Sequence, residues 1–202
     1  MVMTPARAVL NYRDYAALPD DGRRYEIHEG ELSVTAAPGS KHQIVSMRLG
    51  AALHVHVEAR SLGIVVAAPF DVILSDRTIV QPDIVFIATD RVGRISERGI
   101  EGAPTLVVEI LSPSTRETDR DAKLRLYASY GVPWYWIVDP DARVVEIYRL
   151  EDMHRWVIDS PSGTKVMGIP YVDHEEIWYD AYVTLVRQKI AALGPGDPAP
   201  SQ

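Results

Sequence analysis

Apolar and polar positions along the chain change rhythm several times, and each change predicts an element. Residues 12–18 (YRDYAAL) read as a short helix stopped by Pro19. Tyr25, Ile27, Leu32 and Val34 alternate with polar neighbours on either side of Glu29-Gly30, which predicts a β-hairpin over 25–34. Ile44, Met47, Ala51 and Val55 recur at helical spacing, so a long helix over 41–60 should bury them as one stripe. The rhythm then shortens. Residues 63–75 hold two strands split near Pro69, and 79–88 is a strand entered through Pro82, a position that suits an edge or a first residue. The charged stretch 89–103 reads as a loop.

Residues 103–112 (APTLVVEILS) are nearly all apolar and β-branched, the signature of a central strand buried on both faces. A helix over 116–130 follows, with Ser114 or Thr115 as its cap and Gly131 as its stop. Then come a strand at 134–140, a hairpin return at 143–150 through Pro140-Asp141, and a short strand near 155–159. Strand, helix and strand over 103–139 make a crossover, so part of the sheet should be parallel. The expected fold is α/β: a mixed sheet flanked by helices, with antiparallel hairpins. A single domain over 1–193 fits the length of 202 residues, with 194–202 (GPGDPAPSQ) as a disordered tail.

Composition narrows the function. Apolar residues make up 47% and charged residues 24%, ordinary globular usage. No apolar run reaches the ~20 residues of a membrane helix, and the start lacks a signal-peptide stretch; no membrane role is expected. The absence of cysteine excludes disulfides, zinc–thiolate sites and thiol catalysis, and it suits a reducing cytoplasm. The net charge of −7 argues against a generic polyanion binder, so any nucleic acid must be handled at a local site. No Gly-x-Ser-x-Gly elbow and no glycine-rich phosphate loop is present.

Three charged residues stand where structure alone would not place them. Asp83 follows Pro82 at the start of an apolar strand, Glu109 interrupts the buried run, and Lys123 lies on the helix after it. An ionised carboxylate in such a strand is costly unless it is paired or binds a cation. Two carboxylates at the ends of adjacent strands suit a hard divalent ion such as magnesium, and a nearby lysine can orient water or stabilise developing negative charge. The chemistry this implies is metal-assisted hydrolysis. Each residue also has a plain structural reading. Asp83 can cap a turn, Glu109 can pair with a core arginine, and Lys123 has Asp119 one helical turn before it.

Taken together, QPDIVFI, VVEILSPST, DRDAKLRLYASYGV and WYWIVDP resemble a bacterial family of restriction-endonuclease-like proteins, long a domain of unknown function, within the PD-(D/E)XK nuclease superfamily. YEIHEGEL and the later His42 match its N-terminal pattern, and the resemblance spans about residues 10–180. It implies a restriction-endonuclease-like fold and a magnesium- or manganese-dependent endonuclease acting on DNA. Asp83 and Glu109 would be metal ligands, and the carbonyl of Ile110 would lie near the ion. Glu26 resembles an additional acidic residue of some superfamily members. The lysine expected two residues after Glu109 is replaced by Leu111, and Lys123 matches a lysine moved to the following helix. Glu109 lies 26 residues after Asp83, so 89–103 must loop out.

His42 opens the long helix and could approach the site, as the family pattern suggests. His54 and His56 point about 200° apart on that helix and cannot share an ion. Arg23-Arg24 is either a phosphate contact or a solvated turn. Tyr127 and Tyr130 read as fillers between helix and sheet. Cutting both strands of a duplex requires two sites, so a homodimer is expected; Trp134-Tyr135-Trp136 is either its interface or a core strand. Two other functions remain open: a non-catalytic nuclease-fold module for binding or assembly, and metal-independent acid–base hydrolysis by the same carboxylates.

Overall fold

The computed structural model describes residues 8–35, 37–112, 122–142, 144–152 and 155–158. Two six-stranded mixed sheets replace the single sheet expected. In spatial order the first runs 31–35, 24–28, 78–80, 72–75, 99–101, 95–96, and the second 155–158, 144–152, 134–139, 106–110, 84–88, 63–67.

The first sheet opens with the predicted hairpin, β1 (Arg24–His28) and β2 (Glu31–Thr35). Glu29 and Gly30 both take positive φ, 52° and 90°, as the tightest hairpin turn demands. A Cβ on Gly30 would sit 2.4 Å from Val9 Cγ1, so the site admits only glycine without a shift. The alternation is only half used for burial. Ile27 is fully buried against Ile73 and Ile79, whereas Leu32 and Val34, on edge strand β2, are exposed.

The stretch 79–88 is two strands. β5 (Thr78–Val80) joins the first sheet and β6 (Ile84–Ala88) the second, with Pro82 in the link. Proline has no N–H for a ladder, so the chain changes sheets there. β6 is interior, between β9 and β3. β3 (Gly63–Ala67) and β4 (Val72–Ser75) part in the same way around Pro69. Residues 89–103 are not a plain loop: a 3₁₀ turn at Thr89–Arg94 leads into β7 (Ile95–Ser96) and β8 (Gly99–Glu101).

β9 (Leu106–Ile110) is the predicted central strand. It pairs antiparallel with β6 and parallel with β10 (Trp134–Asp139). β11 (Val144–Asp152) and β12 (Arg155–Ile158) complete the sheet. Tyr135 and Trp136 are core residues, buried to within 1%. The cap expected at Ser114 or Thr115, the neighbour Asp119 and the tail 194–202 lie outside the described residues; of the helix expected over 116–130, the described part is α3 (Lys123–Ser129).

The two faces of the second sheet carry separate cores. One face, with Ile84, Phe86, Leu106, Val108 and Trp136, packs under α2 (Ser40–Glu58). The other, with Val85, Ile87, Val107 and Ile137, packs against Tyr127 of α3 and against Val72, Val80 and Ile100 of the first sheet. Strand alternation assigns these faces: odd positions of β6 and β9 look one way and even positions the other.

Helix α2 is where the predicted packing is reversed. Val45, Leu49, Leu53 and Val57 are buried, while Ile44, Met47, Ala51 and Val55 face outward. Two apolar stripes run along this helix, and spacing alone does not say which one meets the sheet. The described residues also contain a short α1 (Tyr12–Tyr15) and no helix long and apolar enough to cross a membrane.

Candidate active site

The link between the sheets brings the charged residues together. β6 and β9 pair as Ile84↔Val108, Val85↔Val107 and Phe86↔Leu106. Asp83 directly precedes Ile84, and Glu109 directly follows its partner Val108, so the two acids stand at the same end of this strand pair. Positions 24, 26 and 28 share one face of β1, because alternate residues of a strand do. Arg24, Glu26 and His28 therefore point the same way, while Ile27 enters the core. On α3, Lys123 and Tyr127 are one turn apart and reach the same target.

The contacts form two linked groups. Lys123 Nζ donates to Glu109 Oε1 at 2.9 Å and lies 3.2 Å from both oxygens of Glu26. The Tyr127 hydroxyl donates to Glu109 Oε1 at 2.7 Å. The Gln81 amide donates to Glu26 Oε1 at 2.7 Å, and His28 Nε2 lies 3.0 Å from Glu26 Oε2. Around Asp83, Arg24 Nη1 donates to Oδ1 at 3.0 Å. His42 Nε2 meets Oδ2 at 3.0 Å, and the Ile110 amide donates to Oδ2 at 2.8 Å. Glu26, Asp83, Glu109 and Lys123 are all buried, none more than 5% exposed.

Burial acts on each charge, and the partners outweigh it. For Asp83, desolvation raises the carboxyl pKa; the His42 hydrogen bond and charge, Arg24 and the Ile110 amide more than reverse this, leaving it below the usual range. For Glu26, desolvation is again overcome, chiefly by Lys123 and then His28, and its pKa lies well below normal. Desolvation weakens the Arg24 guanidinium's hold on its proton, but Asp83, Glu109 and Glu26 together raise its pKa. The Tyr127 phenol is pushed far up by burial and by the charges of Glu109 and Glu26. All four results follow from low dielectric and close opposite charge, or like charge for the phenol.

The sequence-predicted residues are thus distributed as follows. Glu26, Glu109 and Lys123 meet directly, and Asp83 adjoins them across one strand pair. Ile110 presents its amide to Asp83. Its carbonyl points to the same strand edge, as both backbone groups of one strand residue do. Arg24 is a partly buried partner of the Asp83 carboxylate, whereas Arg23 pairs with surface Asp21. Tyr127 bonds Glu109 and is more than filler; Tyr130 reaches Ser75 and Thr78 instead. The signals for the overlooked residues were in the chain: polar 24, 26 and 28 alternate with apolar 25 and 27, and Tyr127 follows Lys123 by four.

Three carboxylates face two permanent cations here, leaving one formal negative charge before the two histidines are counted. That balance and the all-oxygen donors fit a hard divalent ion. Among the described residues no group of three or more His, Asp or Glu forms a ready metal cage. A cation would rest on Asp83 and Glu109, with the Ile110 carbonyl and water, the sparse ligation magnesium accepts.

Comparison with known proteins agrees with this architecture. A solved structure titled "Crystal structure of a putative nuclease belonging to DUF820", from Anabaena variabilis, superposes with a TM-score of 0.62 at 21% identity. The match covers 76% of this chain and 90% of that one, and it establishes the shared fold. "Uncharacterized protein slr1290" from Synechocystis is 29% identical over 136 residues, 67% of this chain and 70% of its own length. The family model described as "Uma2: Putative restriction endonuclease" matches residues 12–168, and the chain belongs to that family.

Proposed function

We propose that this protein is a divalent-cation-dependent phosphodiesterase that cuts nucleic acid, with DNA as its substrate. The observation that supports the reading is the buried network in which Arg24 and the Ile110 amide bond Asp83 while Lys123 bonds Glu109 and Glu26. Family membership and the nuclease-like fold support it. Asp83, Glu109 and the Ile110 carbonyl would hold magnesium or manganese, which when bound supplies Lewis-acid polarisation of phosphate and a more acidic water.

The chain's own residues do the rest. Arg24, His42 and the Ile110 amide fix Asp83 as a carboxylate. Lys123 and Tyr127 fix the rotamer of Glu109, and Lys123 also offers positive charge where the phosphoryl oxygens gain negative charge. Glu26 holds Lys123 from the other side. In the reaction a water oxygen bonds to phosphorus and the bond to the 3′ oxygen breaks. Solvent accepts the proton that the attacking water loses and protonates the leaving oxygen, giving a 5′-phosphate and a 3′-hydroxyl. Cutting both strands of a duplex calls for two copies of the site, hence a homodimer. The reading places the protein in the cytoplasm, with which a cysteine-free sequence is compatible.

Burial favours one competing reading. A phosphate reaches groups that are 5% exposed or less only if the atoms covering them move. A sealed ion network instead suits a module that keeps the fold for binding or assembly. Plasmid and oligonucleotide cleavage with added Mg2+ or Mn2+ separates the two. A nuclease cuts only with the cation and stops with chelator. Asp83→Asn removes cutting and Mn2+ heat of binding while retaining the wild-type circular dichroism. Wild type that neither binds Mn2+ nor cuts overturns the proposal. Cutting that ignores chelator points to acid–base hydrolysis by the carboxylates.

A further inference from the structure

The outward stripe of α2 has no role in the site. Ile44 is 48% exposed, Met47 74% and Val55 57%, with Ala51 exposed between them. At 100° per residue these four lie on the side of the helix opposite Val45, Leu49 and Leu53. A monomer gains nothing from a second apolar stripe pointing to water, and such a face marks an interaction surface.

The stripe is complementary to itself. Consider two α2 helices packed antiparallel, with a two-fold axis passing midway between positions 49 and 50. Ile44 then faces the partner's Val55, and Met47 and Arg48 lie over the partner's Ala51, whose small side chain admits them. At the ends, Lys41 faces the partner's Glu58. All of these residues are exposed. Each contact occurs twice, as an isologous interface requires. Lys41 reaches Asp141 at 2.6 Å within its own chain, but that pair is exposed and worth ~1 kcal/mol or less, so it does not tie the lysine down. The charges are mixed, with Lys41 and Arg48 toward one end and Glu58 at the other. This pattern suits a second copy better than a polyanion or an acidic lipid surface.

We infer that the outer face of α2 is a self-association surface at which two copies of this chain pair their helices about a two-fold axis. The helix has 19 residues, so it is about 28 Å long and offers less than the ~800 Å² per partner of a standard interface. The dimer is therefore weak and concentration-dependent.

Sedimentation velocity of the full chain tests this without reference to cleavage, so it stands or falls apart from the nuclease reading. Across roughly 1–100 µM, the range a small interface implies, the mass should rise from 22.5 kDa toward twice that value. Met47→Glu, repeated on both copies, should weaken association about 100-fold. Lys41→Glu and Glu58→Lys should each weaken it about tenfold, and the double variant should recover to within about threefold of wild type. Circular dichroism should match wild type in all four proteins, since these side chains are exposed. A monomer at every concentration overturns the inference and leaves the stripe to residues 159–202 or to a different protein. So does a dimer indifferent to Met47→Glu, or a double reversal no better than the single ones.

Discussion

Lys123→Met is the most informative perturbation of the site. The lysine is 5% exposed and its ammonium is bonded to two carboxylates, at 2.9 Å and 3.2 Å. A unit pair at 3 Å is worth ~5 kcal/mol at an effective dielectric of 20, before the desolvation of both partners is subtracted. Removing one member of a buried pair leaves an uncompensated charge, and the measured cost of that is ~3–5 kcal/mol. Methionine fills much of the vacated space, so the loss is electrostatic. For a chain of this size it corresponds to a fall in Tm of about 6–20 °C.

The pH dependence has a definite sign. Glu26 has a folded pKa below its unfolded value, so in wild type it stabilises the fold above the unfolded value, ~4.3; that contribution is lost as the pH falls through the folded pKa. Without Lys123, the same burial is opposed by fewer partners, His28, the Gln81 amide and the charge of Arg24, and the carboxyl pKa rises. The gap between variant and wild type should be widest near neutrality. It should narrow as the pH falls through that raised pKa and the variant's carboxyl takes a proton. Urea unfolding at about pH 7 and about pH 4.5 measures both quantities, the lower pH lying close to the unfolded glutamate value. A loss within ~1 kcal/mol, the range of an exposed ion pair, would refute the reasoning. A gap that stays flat with pH would refute it as well.

The remaining expectations concern packing and local geometry. Tyr127→Phe removes the hydroxyl that donates to Glu109 and should cost ~1.5–3 kcal/mol in urea unfolding, while the ring contact with Tyr135 at 5.0 Å survives. Leu53→Ala should cost ~2–5 kcal/mol, whereas Val55→Ala should stay within ~0.5 kcal/mol in dilute solution; equal losses would contradict the observed orientation of α2. Gly30→Ala should destabilise by ~1–2 kcal/mol in thermal unfolding, because φ is 90° and the added methyl meets Val9.

The local signals in the chain settled the elements wherever a single period was present. The Glu29-Gly30 hairpin, the buried run at 106–110 and the parallel crossover to 134–139 follow from turn chemistry and β-branching alone. Asp83 and Glu109 stood out because charge in an apolar run is costly, and the resemblance pointed to Lys123 and Glu26. Tertiary structure decided what local pattern leaves degenerate. α2 carries two apolar stripes, and only docking on β3, β6 and β9 selects the Val45 side. Pro82 marks a break, but only the second sheet reveals that the chain changes layers there and so carries Asp83 to Glu109. Arg24 and Tyr127 are polar residues whose partners lie 59 and 18 positions away, and no periodicity encodes such distances. Sequence fixes what each residue prefers next to its neighbours, whereas the meeting of distant charges depends on which faces the whole chain can bury at once.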